Sequence, residues 1–465
     1  MTARAATPEL PGGGASTSSS RRGEAEIWIT GIGAVSAFGW GREALWQGLV
    51  SPPAGGVIRR GERFDVRGQR TELVAEVPPE PAASTATSLP EPPSRPPRFP
   101  LRRRRRSRAD DFAVDAAREA LGLARWSTDD GGRFRPLGPR SGVFFGTSTA
   151  GMPEGEEVFD RLLDRPGSAP RLGSVVSHQM NGPGDEVART FGIQGAVETL
   201  SSACAAAALA LGEALDALQQ GEIDVALAGG SDVLCQLTYS GFNALRAMDE
   251  SPCRPFRGDR AGLSLGEGAG VLVLERSDFA ARRGARPLAR LLGAGASCDA
   301  HHMTAPHPEG EGAERAIRAA LTNAAVSPSS ITLVNAHGTG TPHNDSAEAL
   351  ALGRLFQQAP EGPPVTSTKG AVGHLLGASG ALEAVATVLC LHHRQAHPTP
   401  GSEAGAEEEL AVDLVTRSPR PLPESSHALS SSFAFGGANA ALIFASPERA
   451  AKTGTKTKTR TGSSR

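Results

Sequence analysis

One cysteine and two distant histidines could form a catalytic group in this chain of 465 residues. Cys204 lies in the segment Ser-Ser-Ala-Cys-Ala-Ala-Ala-Ala, and His337 and His374 each stand beside a glycine, in Asn-Ala-His-Gly-Thr-Gly-Thr and in Gly-His-Leu-Leu-Gly. These residue types suggest a thiol nucleophile with two imidazoles beside it. An isolated cysteine among alanines is usually an inert core residue, so the prediction depends on the motifs that accompany it.

The local sequence predicts how these side chains are presented. Cys204 stands between a short extended segment at 197–200 and a helix of small residues at 204–219. Because unsatisfied amides and the dipole at a helix N-terminus favour thiolate, we expect a reactive sulfur. His337 follows a predicted strand, and His374 occupies a turn before a predicted helix. Glycines beside both are typical of places where the backbone approaches a ligand.

Four more residues around these motifs are candidates for binding or support. Lys369, five residues before the second histidine, could orient the site electrostatically, although a lone lysine is also typical of a solvated surface. Thr339 and Thr341 offer hydroxyls for a polar substrate arm, and threonines in turns also serve local hydrogen bonding. Phe435 belongs to the segment Phe-Ala-Phe-Gly-Gly, which is either a gating loop or a plain hairpin turn.

Composition and charge exclude several classes of protein. The chain has 48 basic and 50 acidic residues, and a net charge of -2 argues against a general attraction to nucleic acid or to an anionic membrane. Its five cysteines include no Cys-x-x-Cys pair, which argues against a disulfide framework or a metal site and fits a reducing cytoplasm. Neither a signal peptide nor an apolar run of about 18 residues is found, so we expect a cytoplasmic protein with no membrane segment.

The order of predicted elements indicates stacked α/β layers, because short β-rich runs alternate with helical runs of alanine and leucine. The segment at 141–149 resembles the one at 331–341, since each is a strand that enters a turn of small residues. This echo predicts two duplicated halves that divide near residue 285. The predicted strands are 27–30, 141–145, 225–228, 270–274, 331–335 and 441–444, and the predicted helices are 111–124, 204–219, 312–325, 345–357 and 377–393.

We therefore divide the chain into a flexible N-terminal tail at 1–25, a half with the nucleophile at 26–285, a half with both histidines at 286–447 and a flexible basic tail at 448–465. The two tails lack apolar periodicity and are rich in small polar residues. Proline and serine are so dense at 77–100 that this segment is predicted to be an irregular surface insertion.

Taken together, the motifs resemble an elongating β-ketoacyl-acyl-carrier-protein synthase of the thiolase superfamily. The resemblance covers nearly the whole predicted core and implies an α/β fold of the layered α-β-α-β-α thiolase type, made of two duplicated halves. Its motifs, in the order of the family, are Ser202-Ala-Cys204, Arg254 to Gly270, Asn335-Ala-His337-Gly-Thr-Gly-Thr341, Lys369-x4-His374 continuing to Glu383, and Phe433-x-Phe435-Gly-Gly-x-Asn439.

The resemblance also implies a reaction. Cys204 would take the growing acyl chain from an acyl carrier protein as a thioester, and malonyl-carrier protein would then lose carbon dioxide so that its enolate carbon attacks the acyl group. His337 and His374 would hydrogen-bond the malonyl thioester carbonyl, and the amides of Cys204 and Phe435 would form the oxyanion hole. No cofactor is implied, because the substrates are carried on the phosphopantetheine of the carrier protein.

Further residues take roles by the same resemblance. Lys369 and Glu383 would support the site, Thr339 and Thr341 would line the pantetheine arm, and Phe435 would be the gate. The family forms dimers, and the resemblance leaves open a homodimer or a heterodimer with a related ketosynthase subunit.

Two departures from the family bear on the substrate. Ser-Ala-Cys, followed by four alanines, stands where the family usually has Thr-Ala-Cys followed by Ser, Thr or Gly. Thr149, in the turn at 146–151, stands where long-chain enzymes often carry a bulky Ile. These departures predict an unusual acyl pocket and leave a specialised polyketide or aryl-polyene pathway open beside fatty-acid synthesis.

A run of arginines at 102–108 predicts docking of an acidic carrier protein. Arg104 and Arg108 match the family's docking positions best, and Arg246 is a third candidate. Because no aromatic residues are interleaved with the run, we do not expect nucleic-acid binding.

Three alternatives compete with the condensing enzyme. A non-catalytic partner subunit would keep the fold and lose the nucleophile, so Cys204 argues against it. A degradative thiolase would need a second reactive cysteine in the C-terminal loop, and an initiating synthase would carry Asn in place of His374.

Overall fold

A computed structural model describes residues 25–80, 106–129, 132, 134–164, 176, 178–356, 362–401, 410 and 412–447. The two predicted tails lie outside this range except for residue 25, and so does most of the proline-rich segment at 77–100. The flexibility of the tails and the irregular form of that segment therefore stay predictions.

The described residues form the following elements. The helices are α1 (Arg42–Val50), α2 (Arg108–Leu123), α3 (Met152–Asp164), α4 (Gly182–Phe191), α5 (Ala206–Gln219), α6 (Gln236–Ala244), α7 (Ser277–Arg282), α8 (Glu311–Ala324), α9 (Pro342–Phe356), α10 (Lys369–Val372) and α11 (Ser379–His393). The strands are β1 (Ile27–Ser36), β2 (Gly39–Trp40), β3 (Arg59–Arg60), β4 (Leu73–Ala75), β5 (Ser141–Gly146), β6 (Val197–Leu200), β7 (Val225–Asp232), β8 (Leu265–Gly266), β9 (Gly268–Arg276), β10 (Ala289–Cys298), β11 (Ile331–Asn335), β12 (Val365–Thr366), β13 (Gln395–Ala396), β14 (Arg420–Pro421), β15 (His427–Phe433) and β16 (Ala438–Ala445).

The large sheet contains the same arrangement of five strands twice. Counted from the middle of the sheet outward, the strands of the first half are β1, β9, β7, β5 and β6, and those of the second half are β10, β16, β15, β11 and β12. If the strands of each half are numbered by their order along the chain, both halves have the same spatial order, 1-5-4-2-3. In each half, the first two pairings are antiparallel and the last two are parallel. Antiparallel pairing of β1 with β10 joins the halves. The predicted duplication is confirmed, and the predicted division near residue 285 falls between β9 and β10.

Helices cover both faces of each half-sheet. Helices α2 and α4 pack on the first half, and α8 packs on the second half with α9 beside it. Helices α5 and α11 contact each other and strands of both halves, so they form a shared middle layer. Separate clusters of buried apolar side chains lie in the middle layer and on each outer side. The predicted α-β-α-β-α order is therefore confirmed.

The structure contains each predicted strand and helix, but the strand predicted at 27–30 extends to Ser36 and the one predicted at 225–228 extends to Asp232. The helix predicted at 345–357 begins earlier, at Pro342, and the helix predicted at 204–219 begins later, at Ala206. Strands β15 and β16 form a hairpin in which Phe433 pairs with Asn439, so the glycine-rich segment between them is a hairpin turn.

Small residues allow α5 to approach the sheet at the place where the nucleophile is presented. A Cβ atom added to Gly146, at the end of β5, would lie 2.1 Å from the backbone nitrogen of Ala207. Real side chains do not tolerate such a contact, so the first turn of α5 can lie this close only because residue 146 is glycine.

Replacing Gly146 with alanine should therefore destabilise the protein by about 1 to 3 kcal/mol or more, because backbone atoms of α5 would have to move. Urea unfolding would measure this loss. A matched control is Gly241→Ala in α6, where an added Cβ meets no atom within 4 Å. Alanine in that helix should be neutral or stabilising by up to about 1 kcal/mol, and equal losses in both variants would contradict the packing argument.

Candidate active site

Cys204 lies in a tight turn before the middle helix α5. Ala203 adopts a φ of 44°, and α5 begins two residues after the cysteine. Burial raises the pKa of the Cys204 thiol to about 11, although the Lys369 ammonium and hydrogen bonds from the Phe435 and Cys204 amides oppose this rise. The thiolate predicted from the helix N-terminus is therefore not the resting form of Cys204, and that prediction is wrong. Burial raises the pKa of the thiol by more than the local dipole lowers it. The same two amides are those predicted for the oxyanion hole.

His337 follows β11 in a loop that a buried carboxylate holds. The backbone N–H groups of His337 and Gly338 each donate to Glu348 at 2.9 Å, and Glu348 also accepts from the Ser431 hydroxyl at 2.7 Å. Lys369 Nζ lies 3.1 Å from His337 Nδ1 and donates to the His337 carbonyl at 2.7 Å. Because an ammonium only donates, Nδ1 accepts and neutral His337 carries its proton on Nε2.

His374 lies between α10 and the short 3₁₀ turn Leu376–Ala378 that precedes α11. The backbone N–H of Leu376 donates to His374 Nδ1 at 3.0 Å, and the Ser379 hydroxyl is 2.8 Å from the same nitrogen. An amide N–H cannot accept, so neutral His374 also carries its proton on Nε2. Both imidazoles therefore keep an Nε2–H group that these Nδ1 contacts do not use.

Burial keeps both histidines uncharged. It lowers the pKa of His337 and of His374 well below the usual range, and the nearby Lys369 ammonium lowers both further. Their ring centroids are 5.5 Å apart and the ring planes are nearly perpendicular. The structure thus brings together two neutral N–H donors, as the electrostatic role predicted from the resemblance requires.

Lys369 and Glu383 form a buried ion pair beside the histidines, and both side chains are 2% exposed. Burial raises the pKa of Glu383, and the Lys369 ammonium opposes this effect. The lysine is therefore not a solvated surface residue, and its contacts with His337 fix both the backbone and the tautomer of that histidine.

Thr339 and Thr341 lie in the loop after His337, and their hydroxyl oxygens are 2.8 Å apart. The buried Asp345 accepts the Thr339 amide at 3.0 Å and the Phe256 amide at 2.8 Å, which holds this loop against a neighbouring one. The hydroxyl contact is local hydrogen bonding, and binding of the pantetheine arm stays a prediction.

Phe435 stands in the hairpin turn between β15 and β16. The residue is 36% exposed, and its ring stacks on Phe242 of α6, with centroids 5.6 Å apart. Gly436 and Gly437 both have φ values above 80°, which favours glycine, and the Gly436 N–H donates to the Met303 carbonyl at 2.8 Å. The Phe435 amide contacts the Cys204 thiol, and Phe435 itself is exposed. This arrangement fits a gate at the entrance of the site, and the gating role of Phe435 stays a prediction.

Thr149 is buried and its hydroxyl is used within the protein. Its Oγ1 atom is 3.0 Å from Asp232 Oδ1 and 2.9 Å from the Val233 carbonyl. The proposed place of this residue in the acyl pocket stays a prediction.

The three docking arginines have different surroundings. Arg104 lies outside the described residues, and Arg246 is exposed. Arg108 pairs with the buried Glu267 at 2.6 Å, donates to the Val77 carbonyl at 2.9 Å and lies over the Phe112 ring. Arg108 therefore holds internal structure, and of the three, Arg246 is the exposed candidate within the described ranges.

Sequence reasoning missed the carboxylates that hold the active-site loops, namely Asp232, Asp345 and Glu348. Asp345 and Glu348 lie three residues apart near the start of a predicted helix and share one of its faces. That spacing, directly after the His337 motif, was the signal available for them. No comparable signal marks Asp232 at the end of β7.

Within the part of the chain that the structure describes, no group of three or more His, Cys, Asp or Glu side chains could hold a metal ion. None of the helices in those ranges is long and apolar enough to cross a membrane.

The raised pKa of the nucleophile can be tested by alkylation. If the pKa is about 11, the rate at which iodoacetamide modifies Cys204 should rise about tenfold for each unit between about pH 8 and pH 10, because the thiolate fraction rises in proportion. Peptide mass spectrometry would follow Cys204 separately from the exposed Cys298. A rate that levels off at or below about pH 8 would instead support the thiolate expected from the sequence.

Comparison with known proteins places the chain in a family. Residues 24–280 match the model for the N-terminal domain of β-ketoacyl synthases, and residues 288–403 match the model for their C-terminal domain. The 3-oxoacyl-[acyl-carrier-protein] synthase 2 of Staphylococcus aureus (strain N315) is 33% identical over 427 residues, which are 90% of this chain and 97% of the relative. The enzyme of the same name from a Synechocystis species is 33% identical over 428 residues, with the same coverage.

Solved structures agree with this placement. The ishigamide ketosynthase/chain length factor has a TM-score of 0.80 and 31% identity, and the match covers 91% of this chain and 100% of that one. A ketosynthase in complex with its chain length factor from Xenorhabdus doucetiae has a TM-score of 0.72 and 30% identity, covering 91% and 98%. With two family models across most of its length and relatives above 30% identity, this chain belongs to the β-ketoacyl synthase family of acyltransferases.

Proposed function

We propose that this β-ketoacyl synthase holds the growing acyl chain on Cys204 and extends it with a malonyl unit from an acyl carrier protein. The observation that supports this most directly is the pair of neutral histidines, each with Nδ1 occupied and Nε2–H available, next to a Lys369 that also acts on the Cys204 thiol. A general base would need an unprotonated nitrogen facing its substrate. Two N–H donors instead suit a carbonyl oxygen that becomes negatively charged.

In the first half-reaction, the Cys204 sulfur attacks the thioester carbonyl of the acyl-carrier protein. The amides of Cys204 and Phe435 stabilise the oxyanion, and the pantetheine sulfur leaves and takes up the proton that the Cys204 thiol loses. Because the resting pKa of the thiol is about 11, the thiolate forms only in small amounts, and nearby positive charge and amides are needed to stabilise it.

In the second half-reaction, the malonyl thioester occupies the space next to His337 and His374. Their Nε2–H groups donate to its carbonyl oxygen, the carbon–carboxylate bond breaks, and the electron pair forms an enolate as carbon dioxide leaves. The enolate carbon attacks the acyl carbonyl, and the Cys204 sulfur leaves and regains a proton. The product is a 3-oxoacyl-carrier protein.

The binding of the substrates completes the proposal. Thr339 and Thr341 line the pantetheine arm, Phe435 gates the entrance, and Thr149 contributes to the acyl pocket. No cofactor takes part, since the carrier protein's phosphopantetheine presents both substrates. All five cysteines are free thiols, which supports a reducing cytoplasm as the site of action.

The pathway and the partner subunit are also proposed. Ketosynthases with chain length factors are among the structural neighbours, which supports a specialised polyketide pathway and a related subunit as dimer partner, with fatty-acid synthesis and a homodimer as the alternatives. A non-catalytic subunit would need no nucleophile, so the presence of Cys204 in this setting favours the catalytic role.

The two half-reactions should separate in single variants. We expect His374→Ala and His337→Ala to cut condensation by about 10²-fold or more, because each removes one donor to the developing enolate, while acyl transfer onto Cys204 persists. Intact-mass analysis would measure acylation, and release of carbon dioxide from malonyl-carrier protein would measure the second step.

Cys204→Ala should abolish both acylation and condensation, whereas the matched variants Cys235→Ala and Cys298→Ala should keep both. Normal condensation in either histidine variant would contradict the assigned donors. Condensation by the Cys204→Ala protein would contradict the nucleophile itself.

Carrier-protein docking should depend on Arg246. Replacing it with Glu should raise the KM for acyl-carrier protein severalfold and leave turnover of a small acyl-pantetheine thioester nearly unchanged, because an acidic partner loses a favourable charge. Arg282→Glu is a matched control, since α7 follows the end of β9 that is far from the active site. An equal loss with both substrates would show that Arg246 serves the fold and not the docking.

A further inference from the structure

Asp232, at the end of β7, is fully buried and organises the turn after β5. Its Oδ1 atom accepts hydrogen bonds from the Thr147 hydroxyl at 2.6 Å, and from the amides of Thr149 at 2.8 Å, Ser148 at 3.0 Å and Ala150 at 3.1 Å. This single carboxylate oxygen thus accepts hydrogen bonds from every residue of the turn at 147–150. The Thr149 hydroxyl also lies 3.0 Å from it.

The second oxygen of Asp232 reaches the other half of the molecule. Oδ2 accepts from the amide of Ala378 at 3.2 Å, and from Ser148 at 2.9 Å. Ala378 closes the 3₁₀ turn in which Leu376 has a φ of 51°, a conformation that non-glycine residues rarely adopt. The N–H of Leu376 is the group that donates to His374 Nδ1 at 3.0 Å. One carboxylate therefore connects the turn at 147–150 to the turn that sets the tautomer of His374.

The nature of its partners shows that Asp232 does more than fill space. The groups that donate to its carboxylate in these contacts are amides and hydroxyls, all of them uncharged. Burying a carboxylate among neutral donors is costly, and an apolar side chain would pack the same volume without this cost. What the carboxylate supplies is a set of acceptor sites that fixes two turns relative to each other.

We propose that Asp232 is a positioning residue for His374, which it reaches through Ala378 and the 3₁₀ turn, and that it couples the turn containing Thr149 to the malonyl-decarboxylating histidine. The inference rests on the proposed function, because it assigns His374 to the second half-reaction. It predicts that loss of this contact harms condensation selectively.

The variant Asp232→Asn can cut one side of this link. Four groups donate to Oδ1 alone, and the Ser148 amide is shared between Oδ1 and Oδ2. These donors favour the amide oxygen of Asn at the position of Oδ1. The NH₂ group of Asn then replaces Oδ2 and faces the N–H of Ala378. Two donors then oppose each other where the turn of His374 is held. In the turn at 147–150, Ser148 loses its contact with Oδ2 and keeps the one at 3.0 Å with the remaining oxygen, which also keeps its four other donors.

We expect Asp232→Asn to reduce condensation by about 10- to 100-fold, because a small displacement of a catalytic donor has effects of this size, while acylation of Cys204 stays within about twofold. Side-chain ¹⁵N NMR of histidine-labelled protein should show His374 changing from the Nε2–H tautomer to a mixture. His337, which Lys369 holds, should keep its signals.

A matched control is Thr147→Val, which removes one donor to Oδ1 and leaves the contact with Ala378. It should alter thermal stability but keep the ratio of the two half-reactions and the His374 signals. If Asp232→Asn does not fold, Asp232→Glu keeps both oxygens but displaces them by one methylene, and the same selective loss is expected.

Unchanged His374 signals in the Asp232 variants, or equal loss of both half-reactions, would overturn the positioning role. Failure of the proposed function would look different. In that case the wild-type protein itself would release no carbon dioxide from malonyl-carrier protein, while the NMR measurement would still decide whether Asp232 fixes His374.

Discussion

The close approach of α5 and α11 between the two half-sheets is the constraint on which the rest of the structure depends. A Cβ added to Gly380, in the first turn of α11, would lie 2.8 Å from the backbone nitrogen of Ala208 in the first turn of α5. The two helix starts therefore meet almost backbone to backbone. Cys204 lies two residues before the start of α5, and His374 lies five residues before the start of α11. Residues 170 positions apart therefore share a site because small side chains let these helices touch.

Burial of that meeting point decides the charges of the site. Removal from water raises the pKa of the Cys204 thiol and lowers the pKa of both histidines, so each group is held in its neutral form. Lys369 forms a buried ion pair with Glu383. The result is a nucleophile that is unreactive at rest and two imidazoles that can only donate from Nε2, and both properties suit a site that must wait for substrates on a carrier protein.

The sequence predicted those parts of the fold and site that depend on local patterns. The α/β alternation predicted stacked layers, the repeated strand-turn segment predicted two halves, and the family resemblance implied the five-layer order. The cysteine motif before a predicted helix located Cys204, and the glycine-framed motifs located His337 and His374. Prediction from the sequence failed where contacts between residues far apart in the chain set the charge or the exposure of a side chain. The helix N-terminus predicted a thiolate, but burial by both halves outweighs it. Arg108 stands in a polar run that is typical of a surface, yet its partner Glu267 lies 159 residues further on.

The carboxylates that sequence reasoning missed explain how the buried site keeps its geometry. In an exposed loop, water molecules satisfy the backbone N–H groups and allow several loop conformations. In this buried site, Glu348 accepts hydrogen bonds from two consecutive backbone amides of the His337 loop, and Asp345 accepts from the next two. Asp232 accepts from three amides of the turn after β5. A carboxylate fixed in a helix or strand cannot exchange as water does. Burial raises the pKa of all three carboxyl groups, and the hydrogen bonds from amides and side chains oppose this rise. Two imidazole N–H groups can point at one developing oxyanion only if both of their loops are held in place, so the buried carboxyl groups serve the chemistry as hydrogen-bond acceptors and not only the fold.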